Sequence, residues 1–505
     1  MSVKRNGEPS SIEKANILRV ARRALGFDSL RPGQEQAIRA VVEGHDTLVV
    51  HPTGSGKSGI CQIVSSMIKG MTIVISPLIA LQKDQVESIN SRNIGEAVVI
   101  NSTLSAEDSR EAFSKLEDGE CEYLFLAPEQ LQRQQTMEAL EQTGVSLVVV
   151  DEAHCITEWG HDFRPEYLKI GPAIERLGHP TVLALTATAS PEVRAEIVQR
   201  LRMRNPKVFV RGFDRPNIYL SVNHFSKKTE KTEALVHRVR WAQKPGIVYV
   251  STRKNAETIM NLLDEAGIKT LFYHGGLKGK ERHEIQERFM NGDAEVIVAT
   301  NAFGMGIDKA DVRFVYHHDI SDSIDAYYQE IGRAGRDGEQ AEAILFFREE
   351  DMGIQKFRKG EAELSATEIE KVEEILREEE GPVDPERISE ETGLPERKLA
   401  KVLHRLEDVG AVEILPAGDI ELQEGTDLGE AARTAAEEQA RRKEINKERL
   451  RQMQEFAHTT ACRRAQLLQY FGDDFSGPCN NCDNCEQATS GIAARVDGGT
   501  RREVV

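Results

Sequence analysis

The first 350 residues repeat one pattern, in which short apolar runs alternate with amphipathic stretches of helical length. Apolar runs of this kind are typical of parallel strands that are buried on both faces. The pattern restarts after residue 245, and therefore predicts two successive α/β domains joined near residues 211–217. The predicted strands are 47–51, 72–76, 123–128, 147–152, 182–188, 246–251, 270–275, 296–301 and 314–319.

The pattern changes after residue 350. A short helix, a turn at Gly393, a second helix and a strand–turn–strand segment predict a winged helix-turn-helix within residues 388–423. Residues 429–456 are rich in Ala, Glu, Gln and Arg, which predicts a long exposed helix. The polar tail after Cys485 is expected to fray.

Composition limits the classes of function. The 505 residues carry 65 Lys and Arg against 83 Asp and Glu, a net charge of −18, which excludes a polybasic coat as the main binding device. A local basic stripe remains compatible with nucleic-acid binding. No apolar run approaches the roughly 18 residues of a membrane span, and the first ten residues lack the apolar core of a signal peptide. We therefore expect a soluble, cytoplasmic protein without a membrane partner.

A glycine-rich turn follows the first predicted strand. Such a turn lets successive backbone N–H groups converge on phosphate oxygens, and the helix that follows adds positive potential. Lys57 would neutralise the β- and γ-phosphates, and the Ser58 hydroxyl would coordinate magnesium. His51 stands where the general pattern has a glycine, which weakens the match. The predicted phosphate-binding residues are Thr53, Gly54, Ser55, Gly56, Lys57 and Ser58.

Two carboxylates end the strand predicted at 147–152. A carboxylate at the end of a buried strand is costly unless it meets a cation, so Asp151 is predicted to hold magnesium. Glu152 would polarise the attacking water. Asp151 alone would also suit a helix cap, but the phosphate loop in the same domain favours nucleotide hydrolysis.

These motifs resemble superfamily 2 helicases of the DEAH-lettered type, and within them the RecQ family. The resemblance covers most of residues 20–350 and returns at 455–485, and the family's phosphate loop also lacks the leading glycine. It implies two RecA-like domains that hydrolyse ATP to move 3′ to 5′ on DNA in repair and recombination. The segment 25–38 resembles the family's adenine-reading motif, which implies that Gln34 pairs with adenine, Phe27 stacks on it and Arg31 supports them.

Residues 155–165 resemble the family's aromatic-rich loop, which senses single-stranded DNA. The implied DNA-binding residues of this loop are Trp159, His161, Phe163 and Arg164. Base–aromatic stacking of about 1–3 kcal/mol per base would suit that role. The alternative is a small hydrophobic cluster under a loop. Thr186 and Thr188 resemble the motif that links hydrolysis to strand grip, and residues 76–86 resemble a DNA-contacting segment.

The second α/β domain ends in YYQEIGRAGRDG, which resembles a late helicase motif. Arg333 and Arg336 are three positions apart and are expected on one helical face. One of them, with Arg336 preferred, is implied to be the arginine finger that stabilises the γ-phosphate, and Gln329 would support it. The alternative is a pair of surface arginines that meet Asp337 and Glu330.

Four cysteines have the spacing C-x16-C-x2-C-x2-C. Closely spaced thiolates from one loop and a more distant fourth thiolate favour a closed tetrahedral, structural zinc site. The segment also resembles the zinc segment of the RecQ family. The predicted ligands are Cys462, Cys479, Cys482 and Cys485.

The order of the C-terminal parts departs from the family, in which the winged helix follows the zinc segment. We therefore hypothesise that a winged helix is inserted within the zinc module. Arg397, Lys398 and Lys401 on its second helix are predicted to face DNA, and the less favoured alternative is a solvated face of a domain that binds protein. The predicted fold is α/β, with RecA-like domains at 1–212 and 213–350, a helical linker and winged helix at 351–428, a zinc module at 429–487 and a flexible tail at 488–505.

Two other functions remain open from the sequence. The same motor could drive an RNA helicase or a duplex translocase that does not unwind, and the winged helix could make the protein a sequence-specific regulator with a vestigial motor. The leading prediction is an ATP-dependent DNA helicase with ATP, magnesium and zinc as cofactors. Its expected partners are single-stranded and duplex DNA, with a single-strand-binding protein or repair proteins implied by the resemblance. In a bacterium it would be associated with the nucleoid.

Overall fold

The structure is a computed structural model. It describes residues 14–489 except 53, 78, 93, 158–162, 305–306, 308, 354–365, 379–380, 396–397, 400–401, 404–405, 408–410, 416–418 and 424–427. The chain divides into two compact units. The first contains the chain up to Arg348 and again from Met453, and the second is Glu349–Gln452. Among the described residues, no helix combines the length and apolar character needed to cross a bilayer.

The N-terminal part of the first unit is a seven-stranded parallel sheet with the order β3-β4-β2-β5-β6-β1-β7. The central strands are apolar throughout because helices cover both faces of the sheet. The strands are β1 Thr47–Val50, β2 Met71–Ile75, β3 Ala97–Ile100, β4 Tyr123–Leu126, β5 Val145–Val150, β6 Thr181–Thr186 and β7 Lys207–Val210. The helices are α1 Lys14–Leu25, α2 Gln34–Val42, α3 Lys57–Ser65, α4 Ile79–Ser91, α5 Ala106–Glu117, α6 Gln134–Thr143, α7 Ile170–Arg176 and α8 Pro191–Arg200.

The second part of this unit repeats the architecture with a six-stranded parallel sheet of order β10-β11-β9-β12-β13-β8. The strands are β8 Ile218–His224, β9 Gly246–Tyr249, β10 Thr270–Tyr273, β11 Val296–Ala299, β12 Phe314–His317 and β13 Ala341–Phe347. The helices are α9 Lys228–Trp241, α10 Arg253–Glu265, α11 Gly279–Asn291 and α12 Ile324–Ile331. We call the two parts the first and second lobes. They confirm the predicted α/β class, and β3, β7, β8 and β13 are additional to the predicted strands.

Two further helices follow in the C-terminal part of the chain. The helix Leu428–His458 occupies the region predicted as a long helix, and the helix Arg463–Tyr470 begins directly after Cys462. Arg463 is buried and donates to the carboxylate of Asp483 at 2.6 and 3.0 Å. This contact ties the last helix to the loop that carries the other three cysteines.

The second unit has the elements of the predicted winged helix. Its first two helices are Ala366–Glu378 and Pro385–Thr392, and the latter ends at Gly393 with φ of 69°, the left-handed conformation that glycine adopts readily. The described residues between 398 and 407 are also helical, and an antiparallel pair, β14 Val412–Ile414 and β15 Ile420–Leu422, forms the wing. All these elements contribute to one apolar core.

Candidate functional site

The predicted phosphate loop connects β1 to α3. Gly54 and Gly56 have φ of 78° and 86°, and a Cβ atom on Gly56 would lie 2.6 Å from the amide nitrogen of Gln34, so this position requires glycine. Lys57 is the first residue of α3, and its ammonium donates to the carbonyl oxygens of His51 at 2.9 Å and Pro52 at 3.3 Å. Thr53 lies outside the described residues. The turn thus brings a cation and the start of a helix together, as phosphate binding needs.

The residues predicted to read adenine pack against this loop. The side-chain oxygen of Gln34 accepts from the backbone N–H of Arg31 at 2.8 Å, and its amide donates to the carbonyl oxygen of Gly56 at 3.0 Å. The guanidinium of Arg31 donates to the carbonyl of Gly54. Phe27 is a rare exposed large apolar side chain, 39% exposed, whose ring lies beside α3 at Gly59. The partly exposed side chain of Phe27 is therefore accessible to a ligand next to the loop.

Asp151 follows β5 directly, on the strand beside β2. Burial and the neighbouring Glu152 raise the pKa of Asp151 to about 7, against the opposing charge of Lys57. Burial lowers the pKa of Lys57, although both carboxylates oppose that shift. A carboxylate with such a raised pKa has too little positive charge around it to be fully ionised at neutral pH. A divalent cation bound by Asp151 and the Ser58 hydroxyl would supply that charge.

Glu152 has φ of 45°, a left-handed conformation that is uncommon outside glycine. Such strain, of order 1–3 kcal/mol, is found mainly where the fold holds a functional residue. The backbone N–H of Glu152 donates to the Oδ1 atom of Asp151 at 3.0 Å, which orients one carboxylate relative to the next.

His154 connects these carboxylates to the next strand of the sheet. Its Nδ1 atom lies 2.9 Å from Thr186 Oγ1 and 3.3 Å from an oxygen of Glu152. The Thr186 hydroxyl in turn donates to the carbonyl oxygen of Thr188 at 3.1 Å. His154 was not among the predicted site residues, although the DEAH letters placed it directly after Glu152.

The arginines of the second lobe occupy two different environments. Arg333 is buried, at 5% exposure, and its guanidinium donates to the carbonyl of Gly304 in its own lobe. Arg336 donates to the Ile307 carbonyl oxygen at 2.8 Å, and its charge contributes to the lowered pKa of Lys57 in the first lobe. Arg336 therefore lies within electrostatic reach of the phosphate loop.

The prediction that these arginines share one helical face is wrong. The helix α12 ends at Ile331 and is capped at Gly332, so both arginines lie in the turn that follows. Gln329 lies in the last turn of α12, half-buried. Of the acidic residues proposed as surface partners, Asp337 pairs with Arg313, and Glu330 accepts from His317 at 2.8 Å and from Ser321 at 2.7 Å.

The aromatic-rich loop is described only in part, because Trp159 and His161 lie outside the described residues. Phe163 and Arg164 are half-buried, and the guanidinium of Arg164 donates to the Pro77 carbonyl oxygen at 3.4 Å. Just after the loop, the fully buried Tyr167 donates its hydroxyl to the carbonyl oxygen of Asp151 at 3.1 Å. The C-terminal end of the loop is thus anchored both to the segment 76–86 and to Asp151 at the end of β5.

Of the basic residues predicted on the winged helix, only Lys398 is described, and Arg397 and Lys401 are not. The Lys398 ammonium pairs with Glu368 of the unit's own first helix. A DNA phosphate would have to compete with this carboxylate.

The four predicted zinc ligands lie together. The sulfur atoms of Cys462, Cys479, Cys482 and Cys485 all lie within 4.8 Å of one another, and those of Cys479 and Cys485 are 4.0 Å apart. A tetrahedral site with Zn–S bonds of about 2.3 Å has edges of about 3.8 Å, so a small contraction would complete it. The backbone N–H of Asn481 points at the Cys479 sulfur at 3.4 Å, which suits a thiolate. The residues present therefore fit zinc.

The cysteine loop packs on the edge of the second sheet. Residue 482 pairs with Leu220 of β8, and the Asp483 carboxylate accepts from the Val222 N–H at 3.0 Å. The helix that begins at Arg463 places Arg464 3.0 Å from the carboxylate of Asp214 and 2.6 Å from the carbonyl oxygen of Ile218. The cluster therefore fixes the end of the chain to the second lobe.

Comparison with protein families gives three matches in succession. Residues 31–197 match the DEAD/DEAH box helicase family, residues 227–338 the helicase conserved C-terminal domain, and residues 419–486 the RecQ zinc-binding family. The matches follow the two lobes and the cysteine cluster described above.

Curated relatives match over nearly the whole chain. A probable ATP-dependent DNA helicase RecS of Bacillus subtilis is 35% identical over 91% of this chain and 90% of its own length. An ATP-dependent DNA helicase RecQ of Haemophilus influenzae is also 35% identical, over 94% of this chain but only 64% of its own length. The chain thus spans less than two thirds of that longer relative.

Solved structures with the same fold are more distant in sequence. The S. cerevisiae protein Dbp5 bound to RNA and ADP BeF3 is 18% identical, with a TM-score of 0.52 over 68% of this chain and 90% of its own. This likeness concerns the fold of the two lobes alone.

Proposed function

The chain belongs to the RecQ family of helicases, and from this premise we propose that it is an ATP-dependent DNA helicase that moves 3′ to 5′ on single-stranded DNA and unwinds duplexes in repair and recombination. The observation that carries the proposal is that the segment between the lobes contacts both halves of the candidate site: the Arg211 N–H donates to the carbonyl oxygen of Val50, at the end of β1, at 3.1 Å, and Arg215 donates to the carbonyl oxygen of Ala334, in the turn that carries Arg336, at 2.7 Å. It supports a nucleotide site formed by both lobes, so that hydrolysis changes how they are held together.

ATP would lie with its phosphates on the N–H groups of residues 53–58 and its adenine against Phe27 and Gln34, with Arg31 behind them. Lys57 holds the phosphate charge, and Glu152, oriented through His154, accepts the proton of the attacking water. Magnesium held by Ser58 and Asp151 would neutralise charge on the phosphates. Arg336, supported by Gln329 and by the buried Arg333, stabilises the charge that shifts onto the leaving group.

The contacts around the aromatic-rich loop support DNA sensing through the same site. Trp159, His161, Phe163 and Arg164 would contact the strand, and Tyr167 joins the loop to the backbone of Asp151. A base stacked on the loop would thereby alter the position of the catalytic carboxylates. Lys398, with Arg397 and Lys401, would add duplex contacts in the winged helix, and zinc on the four cysteines would hold the structural module. We place the protein in the cytoplasm, at the nucleoid in a bacterium, with single-strand-binding or repair proteins as further partners.

Strand displacement tests the proposal directly. We expect ATP-dependent unwinding of a 3′-tailed DNA duplex, little unwinding of 5′-tailed or blunt duplexes, and ATP hydrolysis that single-stranded DNA stimulates more than RNA does. Lys57→Ala serves as the control that retains DNA binding without hydrolysis. Equal stimulation by RNA would favour an RNA helicase, hydrolysis without displacement a translocase, and tight duplex binding without hydrolysis a regulator.

A further inference from the structure

The residues between the two lobes, 211–217, form a short segment that we call the connector. Its first residues lie against the phosphate loop. The backbone N–H of Arg211 donates to the carbonyl oxygen of Val50, the last residue of β1, at 3.1 Å. Gly212 has φ of 82°, and a Cβ atom there would lie 3.1 Å from Pro52, so the connector passes the loop closely. The connector therefore starts at one half of the nucleotide site.

Four residues after Arg211, the connector reaches the other half of that site. The guanidinium of Arg215 donates to three backbone carbonyl oxygens, those of Gly332 at 2.9 Å, Ala334 at 2.7 Å and Gly335 at 3.0 Å. These carbonyls flank Arg333 and immediately precede Arg336. Asn217 adds hydrogen bonds to the carbonyl oxygens of Gly335 and Glu339, each at 2.8 Å.

The middle of the connector is fixed on both sides. The carbonyl oxygen of Phe213 accepts from the hydroxyl of Tyr328 on α12 at 2.6 Å. The Phe213 ring stacks on Phe471, which follows the last helix of the zinc module, with centroids 4.5 Å apart and planes 11° apart. Arg464 pairs with Asp214. Because the backbone next to Arg215 is held in this way, the side chain of Arg215 extends from a fixed backbone position.

We propose that Arg215 is a positioning residue for Arg336, which it holds at the distance from the phosphate loop that catalysis needs. The inference rests on the proposed ATPase function. The backbone N–H groups of this turn bond to other carbonyl oxygens, those of Val312 and Ala310 among them, whereas the carbonyl oxygens of Gly332, Ala334 and Gly335 accept from Arg215, so these three bonds fix the carbonyl side of the turn. A planar guanidinium satisfies three carbonyls in a fixed geometry, whereas a lysine ammonium does not. A displacement of about 1 Å at a catalytic group can cost about 100-fold in rate.

A double-mutant cycle with Arg336 separates this role from a general contribution to folding. We expect Arg215→Lys to lower kcat for DNA-stimulated ATP hydrolysis at least about tenfold while the KM for ATP changes less than about twofold. Arg336→Ala should lower kcat about 1000-fold. If Arg215 acts through Arg336, Arg215→Lys causes no further loss in the Arg336→Ala background.

The control is Arg238→Lys, since Arg238 is a second-lobe arginine that bonds Tyr316 and Glu342 of the sheet, away from the nucleotide site. Its kcat should match that of the parent. Should Arg215→Lys fold poorly by its melting temperature, Asn217→Ser removes two bonds from the same turn and should show a smaller, equally non-additive loss. If Arg215→Lys lowers kcat by the same factor in the parent and in the Arg336→Ala background, and the parent is active, this inference is overturned while the proposed function stands. A folded parent chain that hydrolyses no ATP with DNA present overturns the proposed function and this inference together.

Discussion

Each lobe places an aspartate just after a parallel strand in the middle of its sheet, and the two aspartates have opposite electrostatic environments. Asp151 follows β5 and Asp319 follows β12. Burial and Glu152 raise the pKa of Asp151 to about 7, and the residue as a whole is half-buried. Burial would also raise the pKa of Asp319, yet His318, Lys231 and the Ser251 N–H together hold it well below its usual range.

The difference lies in the partners that the fold provides. One oxygen of Asp319 lies 2.8 Å from the Nδ1 atom of His318 and 3.4 Å from the ammonium of Lys231, and the other accepts from the backbone N–H of Ser251 at 2.8 Å and from the amide of Asn255 at 3.0 Å. Its charge is fully compensated within the protein, which makes it part of the lobe's framework. Asp151 has less cationic compensation, which supports the proposal that it binds a magnesium ion.

The largest expected effect comes from removing the charge of Asp151. Asp151→Asn should lower ATP hydrolysis at least about 100-fold, because the group that would hold the cation at the phosphates is lost. The pKa of Asp151 is higher in the folded state than in the unfolded state. Its ionisation therefore lowers the free energy of unfolding as the pH rises above about 4, and the full loss is reached above about pH 7. At pH 8 the variant should therefore melt no lower than the parent in differential scanning fluorimetry. Full activity, or a large loss of stability, would contradict the functional assignment of Asp151.

The same substitution at the other aspartate should affect stability instead. Asp319→Asn leaves Lys231 buried without its counter-charge, so we expect the free energy of unfolding at pH 7.5 to fall by about 3–5 kcal/mol. The depressed pKa means that the parent's advantage is present above about pH 4 and disappears as the pH falls below that value. Urea titration measures the change, and Asp322→Asn, three residues away in the same turn, is the matched control. An unchanged unfolding midpoint would show that the ion pair is not structural.

Magnesium binding should report the raised pKa directly. Because a proton and the cation compete for Asp151, the apparent magnesium affinity of the nucleotide complex should weaken about tenfold per pH unit below pH 7 and level off above it. Titrating magnesium against a fluorescent ATP analogue between pH 6 and 8.5 gives this slope. The slope should disappear in Asp151→Asn, and a slope that persists there would assign the titration to another group.

The smallest effect is expected at His51, beside the phosphate loop. Burial, Lys57 and Arg211 lower the pKa of His51 to about 4. The unfolded chain takes up this proton below about pH 6.5 and the folded chain does not, so the parent loses stability as the pH falls from 6.5 towards 4. We expect His51→Leu to remove that loss. Its melting temperature relative to that of the parent should therefore rise by about 2 °C when the pH is lowered from 7.5 to 5. His283→Leu, on the exposed surface of α11, should gain nothing.

The sequence predicted most of the central strands of both sheets, and of the four strands it missed only β13 lies inside its sheet. β3, β7 and β8 are edge strands, and the polar positions Lys207 in β7 and Ser221 and Asn223 in β8 shorten the apolar runs of these two strands. The run Ala343–Phe347 within β13 did carry a clear apolar signal. The phosphate loop and the cysteine cluster were predictable because a short stretch of backbone sets their geometry.

The roles of the two arginines were not predictable from spacing. Arg333 and Arg336 share the same local sequence, and only the folded chain shows that Arg333 is buried against the Gly304 carbonyl while Arg336 is half-buried against that of Ile307. Arg215 meets the turn they occupy through contacts between residues 117 to 120 positions apart. Spacing within one motif contains no information about such contacts.

The outer side of β8 is covered by the cysteine loop, and Val222 and its partner Asp483 are 261 positions apart. During synthesis at ~5–20 residues per second, the strand would emerge roughly 13 to 52 s before its cover does. Throughout that interval the nascent chain exposes an unpaired strand edge, a template for pairing with other chains. Ribosomes that follow one another on the same messenger would hold such edges near each other, so slow translation or scarce metal should favour aggregates nucleated at β8.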